Sequence, residues 1–358
     1  MSKFKMDEHK LMYHAERVAQ WEREPTKTFP LYVEISPVGY CNHRCTFCAL
    51  DYLEYERNKM DTQVLKDTLV NMKAHGVKSV MFAGEGEPLL HPDIAELVVY
   101  AKQCGLDVAL TTNATALSFQ FCERALSSCT WIKISCNAGD ADTYAQVHGC
   151  APTSWDSMWK NVERAVAHRN ELKYNTTIGV QSVLLPENAQ TMNALAKKAK
   201  QTGVDYLVVK PYSQHNQSLN NQYKGIVYDD IYDKYLDALH MYASSNFEIV
   251  ARRKSMHDYS SEDRGYDKCL SVPYFWAYIM ADGSLYGCSA FLGDSRFCYG
   301  NVNSKSFSRL WLGRARKNAI GYMNNYMSVD ECRRNCRMHK INCYLWDIKN
   351  GGEHRNFI

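Results

Sequence analysis

The stretch LYVEISPVGYCNHRCTFC, residues 31–48, joins a short β-rich run to a loop with three cysteines. The apolar and β-branched residues at 31–36 predict a strand. Cysteines follow at positions 41, 45 and 48, separated by three and then two residues. Because α/β folds place their chemistry at the carboxyl ends of parallel strands, this cysteine loop is the first candidate for a functional site.

Outward from this stretch, short β-rich runs alternate with longer amphipathic helical patterns. Each predicted strand returns after a predicted helix, which implies parallel pairing through right-handed crossovers. The sequence therefore predicts an α/β fold, either a partial (βα)6 TIM barrel or an open doubly wound sheet. The six predicted strands lie at 31–36, 77–84, 106–113, 131–137, 175–185 and 204–212.

The length and the 46% hydrophobic content of the chain allow one large domain and a smaller one. Residues 1–30 are charged and have a helical pattern, which predicts an N-terminal helical extension. We expect the barrel to occupy residues 31–245 and a smaller cysteine-rich domain to occupy residues 246–358.

Composition bears on the chemistry of the fourteen cysteines. The N-terminus lacks an apolar core of signal-peptide length, and no segment approaches the roughly 20 apolar residues of a membrane span. We therefore expect a cytoplasmic protein without a membrane partner, in which clustered cysteines are metal ligands more often than disulfides. The net charge of +3 is too small, and its lysines and arginines too scattered, to indicate a nucleic-acid partner.

The spacing of Cys41, Cys45 and Cys48 favours one kind of metal centre. A structural zinc ion takes four protein ligands, whereas this loop contains no fourth cysteine and no well-placed histidine. Three neighbouring thiolates suit a [4Fe–4S] cluster in which one iron stays open to another ligand. A zinc site that recruits His43 or a remote cysteine is the alternative.

The segment CNHRCTFC resembles the C-x3-C-x2-C signature of radical S-adenosylmethionine (SAM) enzymes, and GEGEP at 84–88 resembles the GGEP motif of that family. The resemblance implies that the three cysteines hold a [4Fe–4S] cluster whose open iron binds SAM. It also implies that the cluster cleaves SAM to a radical that removes hydrogen from an unactivated carbon. Gly86 and Glu87 are the primary matches to the GGEP motif. The resemblance suggests these cofactor-binding residues: Phe47, Gly84, Glu85, Gly86, Glu87, Thr112, Asn113, Ser135, Asn137 and Gln181.

A second cysteine set follows in the C-terminal part of the chain. Cys269 is followed by thirteen residues, Gly283, four residues and Cys288. This order resembles the start of the SPASM and twitch extensions of radical SAM enzymes, and the Asp-Gly pair at 282–283 independently predicts a hairpin turn. The resemblance implies one auxiliary [4Fe–4S] cluster, for which we expect Cys332 and Cys336 as the other ligands. A zinc ribbon is the alternative.

Two further cysteines and one strand end are candidates for contact with a substrate. Cys298 and Cys343 are surplus to the two clusters, so either thiol is a candidate catalytic donor of hydrogen to a substrate radical. Lys210, Tyr212, Gln214 and His215 end the last predicted strand and are candidate substrate contacts, although a polar loop entering solvent would have the same composition.

The resemblance leaves three hypotheses for function. The first is hydrogen abstraction from a sugar, aminocyclitol or nucleotide-sugar, which gives dehydrogenation or epimerisation. The second is radical modification of a ribosomally made peptide or protein, as in SPASM-type maturases. The third, an electron carrier or zinc scaffold, does not explain GEGEP beside the cysteine loop. Both enzymatic hypotheses imply an external one-electron reductase, such as flavodoxin or ferredoxin.

Overall fold

The structure is a computed structural model. It describes residues 4, 6, 8–260, 263–333, 336–354 and 356–357. Five positions of the predicted N-terminal extension, 1–3, 5 and 7, lie outside the described residues.

One sheet organises the described part of the chain. Its strands are β1 (Tyr32–Ile35), β2 (Ser79–Phe82), β3 (Asp107–Thr112), β4 (Trp131–Ser135), β5 (Thr177–Leu184), β6 (Tyr206–Pro211), β7 (Glu248–Ala251), β8 (Trp276–Ile279), β9 (Ser284–Tyr286) and β10 (Cys298–Asn301). Strands β1 to β7 are parallel and neighbour one another in chain order. The predicted partial barrel is therefore confirmed, with the six predicted strands present as β1 to β6.

Helices connect these strands, as the alternating pattern predicted. They are α1 (Ala15–Arg23), α2 (Thr62–Ala74), α3 (Ile94–Gln103), α4 (Phe119–Ala125), α5 (Ala141–His148), α6 (Thr153–Glu171), α7 (Met192–Thr202), α8 (Asp230–Leu239), α9 (Arg253–Ser260), α10 (Val272–Phe275), α11 (Phe307–Trp311), α12 (Arg314–Asn325) and α13 (His339–Asn350). None of these described helices combines the length and the apolar character needed to cross a bilayer.

The two faces of the parallel sheet differ in composition. Outward residues such as Ile132 and Ile134 are fully buried in the core between the strands and the helices. Burial of each such aliphatic side chain contributes about 1.5–3 kcal/mol. The alternate residues, Trp131, Lys133 and Ser135, point to the barrel interior and stay partly accessible. The barrel interior can therefore hold polar groups without disturbing the apolar core.

The C-terminal cysteine-rich region extends the same sheet from its other edge. Strand β8 pairs in parallel with β1, whereas β9 and β10 add antiparallel strands beyond it. The predicted Asp282–Gly283 turn joins β8 to β9, and Gly283 has a φ of +88°, which favours glycine. Strand β7 lies within residues 246–358 yet pairs with β6. We therefore propose that the barrel extends through β7 and that the boundary at 245/246 lies too early.

Candidate functional site

Three thiols converge in the loop after β1. Burial raises the pKa of the Cys45 thiol well above its usual value, and the nearby Cys48 and Cys41 raise it further. Burial likewise raises the pKa of Cys41 to about 11. Buried thiols in mutual contact resist ionisation unless a cation accompanies them. The donor set therefore fits an iron–sulfur cluster, which binds thiolates.

The end of helix α5 holds this cysteine loop. The backbone N–H of Arg44 donates to the carbonyl of His148 at 3.0 Å, and that of Thr46 donates to the carbonyl of Val147 at 2.9 Å. Gly149 lets the two segments approach, because a Cβ at this position would lie 2.2 Å from the Arg44 carbonyl oxygen. The loop conformation thus depends on a helix about one hundred residues away in the chain.

His148 contributes a side chain to the same contact. The backbone N–H of Asn137 donates to His148 Nε2 at 3.1 Å, so the ring proton lies on Nδ1. Nδ1 in turn lies 3.5 Å from the sulfur of Cys45. His148 therefore donates an N–H···S hydrogen bond to one of the three thiols. Sequence reasoning missed this residue because the contact spans 103 positions.

We expect His148→Gln to lower the reduction potential of the first cluster. Glutamine can keep an acceptor near Nε2 but loses the donor to Cys45, and hydrogen bonds to sulfur stabilise the reduced state. A hydrogen bond of about 1 kcal/mol corresponds to about 40 mV for a one-electron couple. Potentiometric titration followed by electron paramagnetic resonance measures the shift.

His148→Asn is the matched variant, because its amide can occupy the position of Nδ1 and restore the donor. We expect it to recover most of the potential. His91→Gln is a further control, since its ring contacts the Met60 carbonyl and the Asp93 N–H instead of a thiol. Equal potentials in wild type and His148→Gln would contradict the assigned hydrogen bond.

The GEGEP segment packs directly on the cysteine loop. A Cβ on Gly86 would lie 2.3 Å from the carbonyl oxygen of Val38 and 2.4 Å from that of Tyr40. The N–H of Glu87 donates to the Tyr40 carbonyl at 3.0 Å. The contact needs a residue without a side chain at position 86.

The carboxylate of Glu87 fixes the neighbouring strand end. Its Oε1 accepts from the Thr112 hydroxyl at 2.6 Å and from the Leu89 N–H at 3.1 Å. Its Oε2 accepts from the Asn113 N–H at 2.8 Å. Glu87 and Thr112 therefore hold the second and third strand ends together, so their side chains position the backbone of the site.

Glu85, the additional acid in the motif, faces the C-terminal region. Its carboxylate accepts from the Tyr278 hydroxyl at 3.1 Å and from the Ala281 N–H at 2.8 Å. Burial raises the pKa of Glu85 to about 7, although both hydrogen bonds lower it. Gly84 allows this approach, since a Cβ there would meet Ser36 at 2.4 Å. Glu85 thus connects the GEGEP loop to β8 and its turn.

The C-terminal cysteines form a second cluster of thiols. Burial raises the pKa of Cys288 well above its usual value, and Cys336, Cys269 and Cys332 raise it further. These four are the predicted ligands, and the described structure brings them together. Asn342 of α13 supports them: its Oδ1 accepts from Leu270 N–H at 2.8 Å, and its Nδ2 lies 3.6 Å from the Cys269 sulfur. Sequence reasoning missed Asn342, whose only signal is a buried amide within a helix.

Comparison with known families decides the identity of these two sites. The family described as the radical SAM superfamily matches residues 35–199, which contain the first site. The family described as an iron-sulfur cluster-binding domain, SPASM, matches residues 269–337, which contain the four C-terminal cysteines. The chain contains a radical SAM domain followed by a SPASM domain. A radical SAM domain binds a [4Fe–4S] cluster and SAM, and the SPASM domain binds an auxiliary iron–sulfur cluster, so the expected cofactors are confirmed.

Known relatives of this radical SAM protein have several activities. The tungsten-containing aldehyde ferredoxin oxidoreductase cofactor-modifying protein of Pyrococcus furiosus is 24% identical over 78% of this chain and 80% of the relative. The S-adenosylmethionine-dependent nucleotide dehydratase of Lacinutrix mariniflava is 26% identical over 55% of this chain and 42% of the relative. Streptococcus suis SuiB bound to its precursor peptide SuiA has a TM-score of 0.67 at 22% identity, over 95% of this chain and 77% of SuiB. The SuiB likeness shows the fold alone.

The other predicted cofactor contacts of the radical SAM region divide into two groups. Asn113 bonds Asn42 at 2.8 Å and lies 4.0 Å from the Cys41 sulfur, so it borders the cluster site. Asn137 is fully buried, where its Oδ1 accepts from Val183 N–H and its N–H donates to His148. Ser135 and Gln181 pair in register and stay partly accessible in the barrel interior. Asn137 therefore serves as a positioning residue, whereas the accessible pair can reach a ligand.

The region near His43 bears on the zinc alternative. His43, Cys45 and His148 offer ligand atoms within 4.8 Å of one another. Phe47 packs edge-on against His148, with ring centroids 5.6 Å apart. This group contains one of the three loop cysteines, and His148 already bonds Asn137. The radical SAM match, which requires the three cysteines together, therefore favours the cluster over zinc.

The two surplus thiols have contacts within the C-terminal region. The Cys298 sulfur lies on β10, the outermost strand, and neighbours Tyr286. The Cys343 sulfur lies 3.6 Å from the Arg264 carbonyl oxygen and 3.8 Å from His339 Nε2. These described contacts do not join either thiol to a barrel strand end. The hydrogen-donor role of Cys298 or Cys343 stays a prediction.

Four predicted substrate contacts follow β6 or end it. Tyr212 donates to Gln214 at 3.1 Å, and Gln214 in turn donates to the carbonyls of His215 and Asn220. His215 stacks on Tyr52 and bonds the Ser289 carbonyl at 3.2 Å. These side chains therefore brace the loop against the SPASM domain. Lys210 alone among the four points into the barrel interior with no hydrogen bond or ion pair in the described structure.

Proposed function

We propose that this protein abstracts hydrogen from an unactivated C–H bond of a sugar, aminocyclitol or nucleotide-sugar, giving dehydrogenation or epimerisation. The polar lining of the barrel interior is the observation that carries the proposal. Lys133, Gln181 and Lys210 face this space from β4, β5 and β6, below the strand-end loops. Such side chains suit the hydroxyls and anionic groups of a small metabolite. The named nucleotide dehydratase among the relatives supports a substrate of this kind.

The protein's residues have separate roles in this proposal. Cys41, Cys45 and Cys48 hold the first cluster, and Cys269, Cys288, Cys332 and Cys336 hold the auxiliary one. The bound cluster and SAM supply the radical that takes the hydrogen atom. Gly86 and Glu87 keep the strand-end loops in contact, and Glu85 fixes them relative to the SPASM domain. The chain therefore contributes position and exclusion of water, while the cofactor supplies reactivity.

Aromatic side chains close the amino end of the barrel. Tyr32, Trp131 and Met81 pack together within the interior, and the Phe4 ring packs at a tilt against Tyr206, with centroids 5.1 Å apart. This floor leaves the carboxyl-end opening, beside the cysteine loop, as the entry for a substrate. A separate cavity of about 1110 Å³ lies at the amino ends of β6 and β7 and is remote from the two thiol clusters.

Turnover in heavy water tests the reaction type. We expect reconstituted, reduced protein to convert a matching sugar-type substrate with SAM cleavage to 5′-deoxyadenosine. Deuterium in a product of unchanged composition marks epimerisation through an exchangeable thiol. A product two hydrogens poorer marks dehydrogenation. If a peptide stimulates SAM cleavage and no small polar substrate does, the proposal is wrong and peptide modification takes its place.

The variant Cys298→Ala tests whether this thiol is the hydrogen donor. If Cys298 returns hydrogen in an epimerisation, the variant should stop turnover and accumulate a substrate radical visible by electron paramagnetic resonance. Cys343→Ala is the matched variant, and unchanged turnover in both would favour dehydrogenation. A flavodoxin or ferredoxin reductant and a cytoplasmic location remain predictions alongside these.

A further inference from the structure

Positive charge accumulates in the barrel interior. Lys133 and Lys210 point inward from β4 and β6, and Arg252 follows β7, where its backbone N–H donates to the Val209 carbonyl at 2.9 Å. Arg333 and Arg337 of the SPASM domain are also near enough for their charges to lower the pKa of Lys210. Cations from distant parts of the chain therefore lie near one another at the barrel interior: Lys133, Lys210, Arg333 and Arg337.

One carboxylate in this space is already engaged. Glu34 of β1 forms an ion pair with Arg337, and Arg337 also lies beside the thiol of Cys336. Lys133 lies over the Trp131 ring, with its nitrogen 5.4 Å from the ring centroid. The charged neighbours with the largest effect on the pKa of Lys210 are cations, and all of them lower it. Within the described residues neither Lys133 nor Lys210 forms an ion pair, so no direct contact with a carboxylate balances these two lysine charges.

Burial of these charges has an energetic cost to the folded protein. Burial lowers the pKa of Lys210 well below its usual value, and Lys133, Arg252 and Arg337 lower it further. Burial similarly lowers the pKa of Lys133 to about 8. Arg333 adds a buried Nε–H that lacks a hydrogen-bond partner in the described structure. Buried cations and an unpaired donor in one volume are stabilised when an anion enters.

We propose that Lys210, Lys133 and Arg333 bind an anionic group of the substrate, a phosphate or a carboxylate, inside the barrel. This inference rests on the proposed function and specifies its substrate class. Lysines bind such groups as point charges, and an arginine adds directed N–H donors. An uncharged sugar or cyclitol would leave the cations unbalanced, so the proposal selects a charged derivative.

The positions of these residues also orient the substrate. Lys133 lies two residues before the end of β4, about 7 Å below the strand end at the usual rise of a strand. An anionic group held at that depth directs the remainder of the molecule toward the carboxyl ends of the strands. There it meets the loops of Cys41 and Gly86, where the hydrogen abstraction takes place.

Thermal unfolding of the reconstituted, full-length protein with and without anions tests this site. We expect phosphate or pyrophosphate to raise the wild-type midpoint by about 2 °C or more, beyond the effect of chloride at equal ionic strength. Malonate serves as the carboxylate probe and glucose as the uncharged one. A larger response to phosphate or to malonate identifies which anionic group the site prefers.

Lys210→Met separates a binding role from a structural one. Because it removes an unbalanced cation and keeps the length of the side chain, we expect a higher midpoint without anion and at least about a tenfold weaker affinity for the anion. Lys133→Met should weaken anion binding likewise. Lys160→Met, on the exposed face of α6, should change neither quantity.

Two results would overturn the anion site: a Lys210→Met protein that unfolds earlier than wild type, or one that responds to anions as wild type does. Cleavage of SAM by the wild type is measured on the same preparation. Absent cleavage refutes the proposed radical function, whereas intact cleavage without an anion response refutes only the substrate class.

Discussion

Replacing Cys41, Cys45 and Cys48 together by Ala is expected to abolish reductive cleavage of SAM. The three thiols converge after β1 and sit within the matched radical SAM region, so the variant has no ligands left for the first cluster. Iron content should fall from about eight to about four atoms per chain, since two cubane clusters hold four irons each. Product analysis for 5′-deoxyadenosine and iron quantitation measure the two effects.

The complementary variant replaces Cys269 and Cys332 by Ala. It should also retain about four irons, but in the first cluster, and it separates loss of one cluster from general unfolding. SAM cleavage that survives the triple replacement would refute the assigned ligands. About twelve irons in wild type would indicate a second auxiliary cluster, and zinc in place of iron would restore the zinc-ribbon alternative.

Local sequence signals were sufficient for six of the seven parallel strands in the described structure. An aspartate just before a helical pattern is a local signal for a helix start, and Asp61 accepts from the N–H groups of Gln63 and Val64 at the start of α2. The apolar residues that predicted the strands point outward from the barrel, where the helices bury them. Strand β7 was missed because its apolar residues run directly into the basic residues Arg252 and Arg253, and among the described strands it pairs only with β6.

The site was less predictable than the fold because its contacts join distant segments. The motif identified Glu85 and Glu87 but did not reveal their partners. The Glu87 carboxylate binds the end of β3, and the Glu85 carboxylate binds the turn after β8. His148 reaches Cys45 only after α5 has packed on the cysteine loop. The polar residues at the end of β6 suggested four substrate contacts. In the described structure, hydrogen bonds within the protein engage Tyr212, Gln214 and His215, and Lys210 points inward. Such outcomes depend on tertiary packing, which no local pattern encodes.

Gly86→Ala is expected to weaken SAM binding by about tenfold or more, because overpacking of about 1–3 kcal/mol falls on the contact between the two site loops. A Cβ at this position would lie 2.3 Å and 2.4 Å from the carbonyl oxygens of Val38 and Tyr40. Both oxygens belong to backbone, which cannot rotate away as a flexible side chain can. The loops must therefore separate, and the Glu87 N–H loses its bond to Tyr40.

Gly321→Ala provides the matched control, since a Cβ on this glycine of α12 meets nothing within 4 Å. Alanine there should leave SAM binding unchanged and stabilise the helix by about 0.5–1 kcal/mol. Equilibrium binding of SAM to both reconstituted variants, at equal iron content, gives the comparison. The steric conflict at position 86 follows directly from the positions of the two carbonyl oxygens. If Gly86→Ala nevertheless binds SAM as tightly as the wild type, the close approach of the two loops is not needed for cofactor binding.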